Sequence, residues 1–197
     1  AIKLQIPDGH EDQFKGIVDL LTMEYYTFEG PKGEKVIKGP IPENLKAEAE
    51  KERSATIEKI VEQDDQAMSE YLEGKEIPLD KLRTILRKAT IENKIFPVLC
   101  GSALKNKGVQ LVLDAVAYYL PSPVDISATT GVDKKTGQDK PVLPDDNAPF
   151  AALAFKTATD PFVGKLIFVR VYSGTIKAGS YVLNTTTGNK ERIGRIV

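Results

Sequence analysis

Near its start the chain alternates apolar and polar residues with the two-residue period of a strand. Ile2-Lys3-Leu4-Gln5-Ile6 reads as one strand, closed by the turn Pro7-Asp8-Gly9. Gly16 to Leu21 and Met23 to Phe28 are also strand-like, Gly30-Pro31-Lys32-Gly33 is a turn, and Glu34 to Lys38 reads as a returning strand. These segments predict a small antiparallel sheet. After Pro40 to Pro42 the period becomes helical. Leu45, Ala49, Ile57, Ile60 and Val61 give a thin apolar stripe along a helix from Glu43 to about Asp65. Met68, Tyr71 and Leu72 mark a shorter helix that Gly74 closes, and Leu79, Leu82, Ile85, Leu86 and Ala89 mark a third, begun by Pro78. Strands followed by helices make residues 1–94 an α+β unit.

Ile95 to Cys100 is an apolar run that reads as a buried strand, followed by the small and polar residues Gly101 to Gly108. Val109, Val112, Leu113, Val116 and Leu120 then recur at helical spacing, which predicts a helix with that face packed on a sheet, stopped by Pro121-Ser122-Pro123. One strand and one helix do not make a doubly wound sheet, so its other strands are expected upstream of Ala1 or in another chain. Residues 122–146 hold turn-formers such as Thr129-Thr130-Gly131 and Lys134-Lys135-Thr136-Gly137-Gln138 and read as a linker with room for one hairpin. From Phe150 onward the pattern is all β: Phe150 to Ala158, Lys165 to Tyr172, Ser180 to Thr185 and Glu191 to Val197, separated by glycine turns. Short strands with regular turns predict a barrel or sandwich, here a partial antiparallel barrel because four strands are few for closure.

Composition narrows this little. The chain has 197 residues, 41% hydrophobic and 28% charged, with no apolar run near the roughly 18 residues a membrane span needs. The single cysteine, Cys100, excludes an internal disulfide and a multi-cysteine zinc site, and fits a reducing cytoplasm. Net charge is −1 but unevenly spread. Residues 1–94 carry 15 Lys and Arg against 20 Asp and Glu, whereas residues 146–197 carry 7 against 3. A basic C-terminal segment could face RNA or be simply a solvated surface.

Candidate chemistry is sparse. His10, the only histidine, sits in a polar turn and reads as solvent-exposed. Cys100 reads as a small buried hydrophobe. Asp64-Asp65 and Asp145-Asp146 are adjacent carboxylates that do not aim at one atom, so both read as solvated. The chain has no G-x-x-x-x-G-K-[ST] and no Asn-Lys-x-Asp; Gly30 to Lys35 has the residue types of a phosphate loop at the wrong spacing. Gly101-Ser102-Ala103, at the end of a strand, leaves backbone N–H groups open to an acceptor such as a purine O6, although such a loop is also an ordinary strand-to-helix turn.

The surroundings of that loop add a resemblance. Val98 to Gln110, Asp114-Ala115-Val116 and Tyr119 to Asp125 resemble bacterial elongation factor G. Ala152 to Lys156, Asp160 to Leu166 and Arg170 to Gly174 look like the start of that family's second domain, and Leu4 to Pro7 with Gly16 to Leu20 are similar to the insertion within its GTPase domain. The resemblance runs in order along essentially the whole chain; Glu43 to Asn93 matches mainly by pattern. It implies an α+β insertion at 1–94, the last strand and helix of a P-loop GTPase domain at 95–121, a linker at 122–146, and the start of the barrel second domain at 147–197.

The family is a GTP-hydrolysing factor that promotes ribosomal translocation of transfer RNA and messenger RNA. The resemblance implies that Ser102, Ala103 and Leu104 form the last guanine motif, with the Ala103 N–H near guanine O6. It also implies that the phosphate loop, the switch regions, the catalytic histidine and the Asn-Lys-x-Asp motif precede Ala1. No catalytic or metal-ligating residue is therefore assigned, and GTP or GDP with magnesium is expected in the intact protein rather than on this stretch. The implied partners are the ribosome, its large-subunit stalk protein through Glu43 to Asp65, and small-subunit ribosomal RNA through the barrel, with the intact protein a cytoplasmic monomer. Lys156, Lys165, Arg170 and Lys177 are the candidate phosphate contacts. Two alternatives stay open: a related ribosomal GTPase (a release factor or a ribosome-protection protein), or a non-enzymatic module that docks on RNA or protein.

Overall fold

The computed structural model describes residues 1–126, 128–134 and 136–197; Lys135, within the predicted turn Lys134 to Gln138, lies outside the described residues. Tertiary contacts divide the chain once, into Ala1–Leu120 and Pro121–Val197, and do not separate residues 1–94 from 95–120.

In the first unit the predicted opening strand is two strands. β1 (Ile2–Lys3) runs parallel to a partner near residue 97, and β2 (Gln5–Asp8) pairs antiparallel with β3 (Gly16–Asp19). Leu4 is the junction: its N–H donates to Val98 O at 2.9 Å and its C=O accepts from Leu20 N at 2.9 Å. An uninterrupted alternation cannot reveal that the two backbone groups of one residue serve different sheets. β3, β4 (Glu24–Glu29) and β5 (Lys35–Gly39) complete the order β2-β3-β4-β5, with a one-turn 3₁₀ segment at Glu11–Gln13 that the sequence pattern did not mark.

The middle of this sheet is covered on both faces, which explains the continuous apolar run in β3. Val18 joins Ile6, Leu20, Leu45 and Ala49 in one cluster, whereas its neighbour Ile17 joins Tyr26 and Phe28 in another, flanked by Phe14, Val36, Cys100 and Leu111. The first cover is α1 (Glu43–Val61) and the second is the segment around Cys100 to Leu111. Arg53 fastens α1 to the sheet by donating from Nη1 to Leu20 O and Leu21 O at 2.7 and 2.5 Å, and Thr56 Oγ1 donates to Lys3 O at 2.8 Å.

α1 ends at Val61, short of the end near Asp65 that the apolar stripe suggested. Asp64 breaks the run because its carboxylate accepts from Ala67 N at 2.8 Å and caps α2 (Asp65–Leu72). Asp64 is thus a structural cap rather than the merely solvated carboxylate expected from sequence. α3 (Leu79–Ile91) buries Leu82, Ile85, Leu86 and Ala89 against Ile60, Val61, Ala67 and Ile2. Each fully buried leucine here is worth on the order of 2 kcal/mol.

Two expectations for the next stretch need correction. The strand from Ile95 to Cys100 is reduced to β6 (Pro97–Val98), parallel to β1, and Phe96 and Val98 are exposed. α4 (Val109–Tyr119) does pack on a sheet at its start, where Leu111 meets Ile17, Tyr26 and Phe28, but its later turns pack on α3 through Ala115 and Tyr119. The predicted inward face, Val112, Leu113, Val116 and Leu120, is exposed, Leu113 to 63%. Apolar residues surround α4 on nearly every side, so periodicity could not choose a face. Arg87 Nη1 caps this helix by donating to Tyr118 O at 2.8 Å.

Among the described residues the second unit holds three two-stranded antiparallel ladders: β7 (Thr129–Val132) with β8 (Asp139–Val142), β9 (Ala151–Asp160) with β10 (Gly164–Ser173), and β11 (Tyr181–Leu183) with β12 (Lys190–Arg192). The first ladder is the hairpin for which the linker had room. The last expected strand, Glu191 to Val197, is ordered as a strand only to Arg192. β9 and β10 pair along ten residues each, with register shifts at Phe168/Val169 and Val171/Ser173. Asp160 closes their turn: its Oδ1 accepts from Phe162 N and Val163 N, both at 2.8 Å, and these bonds hold its carboxyl below the usual range. Asp145, also expected to be only solvated, accepts from Asn147 N at 2.9 Å in a local turn. Among the described residues no helix is long and apolar enough to cross a membrane.

Candidate functional site

The loop between β6 and α4 is a closed turn. Ser102 N donates to Lys107 O at 2.8 Å and Lys107 N returns the bond to Ser102 O at 3.0 Å. Inside that pair, Asn106 N donates to Ala103 O at 3.1 Å, with Asn106 in the left-handed region at φ 50°. Asparagine tolerates that conformation better than most residues. Gly108 at φ +86° starts α4 in the left-handed region glycine adopts without strain, and a Cβ there would lie 2.7 Å from Ile17 Cδ1 and 3.0 Å from Cys100 O. Ser102 is half-buried, whereas Ala103 is exposed and Leu104 is 97% exposed. Among the described residues the amides of Ala103 and Leu104 find no backbone acceptor.

Such a turn can donate one or two backbone hydrogen bonds to a neutral or anionic acceptor, and no more. Cys100 beside it is half-buried; burial pushes its thiol up to about 11, so it stays protonated and unreactive at neutral pH. His10 is exposed, as its polar turn suggested. Among the described residues no three His, Cys, Asp or Glu side chains are grouped as metal ligands.

Residues that the sequence did not single out hold this loop in place. Gln5, buried in β2, accepts from Cys100 N through Oε1 at 3.3 Å. Lys107 Nζ donates to Phe14 O at 3.4 Å, Asn106 Nδ2 to Lys32 O at 2.9 Å, and Gln110 Nε2 to Gly33 O at 3.2 Å. The sequence carried no signal for them: Gln5 falls on the polar side of the alternation from Ile2 to Ile6, yet it is buried.

The four basic candidates of the second unit are only partly gathered. Lys156 lies opposite Phe168 in the β9–β10 ladder, with its ammonium 5.3 Å from that ring, and the Arg170 guanidinium lies 5.8 Å from the Tyr172 ring. Phe168 and Arg170 alternate onto one face of β10 with Lys156 paired opposite Phe168, whereas Tyr172 sits at the register shift before Ser173. Lys165 falls on the other face by the same alternation, and Lys177 lies beyond β10 in the loop before β11. A basic residue beside an aromatic ring can pair a phosphate while the ring stacks on a base.

Comparison with known proteins covers the two units unequally. Residues 149–197 match the family model described as elongation factor G domain 2. A crystal structure of a protein from Thermus thermophilus is similar over 98% of this chain, with a TM-score of 0.70 and 23% sequence identity. At that identity the likeness is one of fold. The chain spans 26% of the length of that protein.

Proposed function

We propose, with an elongation factor G second domain at residues 149–197 as the premise, that this chain is a central part of a translational GTPase that promotes movement of transfer RNA and messenger RNA through the ribosome. The domain match is the observation that carries the reading. In it, residues 1–94 are an insertion, 95–121 the closing strand and helix of the GTPase domain, 122–146 a linker, and 147–197 the start of the barrel.

Two features of the first unit support the GTPase assignment. β1 and β6 form a parallel pair of two residues each, and parallel strands belong to sheets buried on both faces. The outward face of α4 is apolar beside that pair in sequence and needs a cover. Within this reading Ser102, Ala103 and Leu104 meet the guanine base, the open Ala103 N–H donating to O6. The chain's residues fit that edge of the nucleotide and supply no phosphate cradle. GTP, when bound, supplies the phosphoryl group that is transferred to water; the residues here orient the base and hold the loop. The helix α1 offers its charged outer face to a stalk protein of the large subunit, and Lys156 and Arg170, beside Phe168 and Tyr172, face ribosomal RNA. Lys165 and Lys177 are more peripheral phosphate contacts. The protein works in the cytoplasm as a monomer.

The test uses the complete protein that contains this chain, with purified ribosomes. GTP hydrolysis that ribosomes accelerate, together with single-round translocation, is the expected result. Ribosome-stimulated hydrolysis without translocation would assign the protein to a sister class such as release or ribosome-protection factors. Failure to bind guanine nucleotides would leave a docking module.

A further inference from the structure

We infer that the turn joining β4 to β5, Gly30 to Gly33, is a positioning clamp for the loop Ser102 to Asn106, and that Gly33, Asn106 and Gln110 are its positioning residues. The inference rests on the guanine reading of that loop. It adds that nucleotide affinity depends on a hairpin belonging to the four-stranded sheet, far away in sequence.

Three observations converge on this contact. First, Gly33 sits at φ +60°, and a Cβ on it would lie 2.7 Å from Lys105 O and 3.0 Å from Asn106 O. The two backbones therefore touch at a point where no side chain fits, and the conformation itself disfavours any residue but glycine. Second, the contact is bonded from both ends of the loop. Asn106 Nδ2 donates to Lys32 O at 2.9 Å, and Gln110 Nε2, in the first turn of α4, donates to Gly33 O at 3.2 Å. Third, among the described residues Gln110 Oε1 is buried with no hydrogen-bond partner. An apolar residue would avoid that desolvation, so the amide's only visible return is its bond to the turn. The hairpin turn is itself braced, since the Glu34 carboxylate accepts from Lys32 N at 2.8 Å.

The consequence follows from the loop's geometry. Ala103 and Leu104 offer their amides in a fixed direction only while the Ser102–Lys107 pair and the Asn106-to-Ala103 bond persist. Those bonds lie in an exposed loop and would open readily on their own. Pressing the β4–β5 turn against Lys105 and Asn106 restricts that opening. Preorganising a binding loop raises affinity by removing the ordering cost at binding. A partner that moves the hairpin would weaken the base contact without touching the nucleotide.

Two variants test this. Gly33→Ala forces the backbones apart. The milder Asn106→Gly/Gln110→Leu pair removes both side-chain bonds while keeping the left-handed backbone at 106 and an apolar contact at 110. Hydrogen exchange of the Ser102, Asn106 and Lys107 amides, measured on the complete protein without nucleotide, is expected to speed up in both, with Val18 in β3 unchanged. Loss of two hydrogen bonds corresponds to about tenfold weaker GDP binding in the milder variant. Unchanged loop exchange in both variants overturns the clamp. Faster exchange with unaltered GDP affinity overturns its role in positioning the nucleotide. Equal affinity of the wild-type protein for GDP and ADP would instead overturn the guanine reading, and the exchange measurement would still judge the contact.

Discussion

All the buried hydrophobic side chains among the described residues lie between Ile2 and Tyr119; residues 121–197 contribute none. Both regions have apolar residues at the spacing their elements require. In the first, the sheet has helix α1 on one face and the Cys100 to Leu111 segment on the other, so alternate residues of β3 all find cover. In the second, each strand has a single hydrogen-bonded neighbour, and Leu153, Phe155, Ile167 and Val169 stand in solvent, with Phe162 95% exposed. The difference teaches that a hydrophobic pattern specifies an element, while stability comes from a second layer that the pattern does not itself provide. An isolated two-stranded hairpin is marginal in water.

The sharpest break of this comparison is a matched pair of truncations. Leu86→Ala, in the fully buried α3 position, is expected to cost about 2–5 kcal/mol. In residues 1–197 alone, Ile167→Ala, in the exposed β10, is expected to cost less than about 1 kcal/mol, as for surface substitutions. Urea unfolding followed by circular dichroism at 222 nm reports the first unit, because the four α-helices of the described residues lie there; amide exchange in β9 and β10 reports the second. Equal costs at the two sites would erase the distinction.

A smaller effect is expected from Asp64→Ala, which removes the cap of α2. The loss is about 1 kcal/mol, read in the same unfolding experiment, with Asp65→Ala as the uncapped control.

The alkaline limb sharpens the comparison further. Burial and the Asp8 carboxylate, 2.7 Å from its hydroxyl, raise the Tyr25 phenol well above its ordinary range; burial likewise raises Tyr26 and Tyr119. A raised folded pKa gives stability that is complete below the unfolded value of about 10 and is lost as pH climbs beyond it. The first unit is therefore expected to lose stability above about pH 10, and Tyr25→Phe should flatten that slope. A slope that Tyr25→Phe leaves unchanged would remove Tyr25 as the cause.

The smallest effect belongs to the second unit. Asp160 is held below its ordinary pKa by the Val163 and Phe162 amides, so its contribution is present above the unfolded value of about 4 and fades as pH falls through the lower folded value. The β9–β10 turn amides should exchange faster in acid, beyond the intrinsic rate change, and Asp160→Asn should lessen that dependence. No dependence at Phe162 and Val163 would mean the turn holds without the carboxylate.

Much of this was legible beforehand. The strands from Gly16 to Lys38, the three helical stripes, the Phe150 to Tyr172 hairpin and the resemblance to elongation factor G all rest on short-range order, turn residues and contiguous motifs. The second-domain resemblance is matched by the family comparison at residues 149–197. The candidate loop at Ser102 to Leu104 was visible as small residues between a strand and a helix. Its supports were not, because Gln5, Lys32, Gly33 and Gln110 carry no local pattern that points to residue 103.

By itself, then, the sequence determined which segments are strands and helices and where most of them turn, since those depend on neighbours within a few residues. Only the tertiary structure decided three things. Leu4 divides its backbone bonds between two sheets. α4 turns Leu111, Ala115 and Tyr119 inward and leaves Val112, Leu113 and Val116 outside. Gly33 meets the carbonyls of Lys105 and Asn106. Each depends on groups brought together from distant parts of the chain, where sterics and hydrogen-bond pairing choose among arrangements that local periodicity leaves equal.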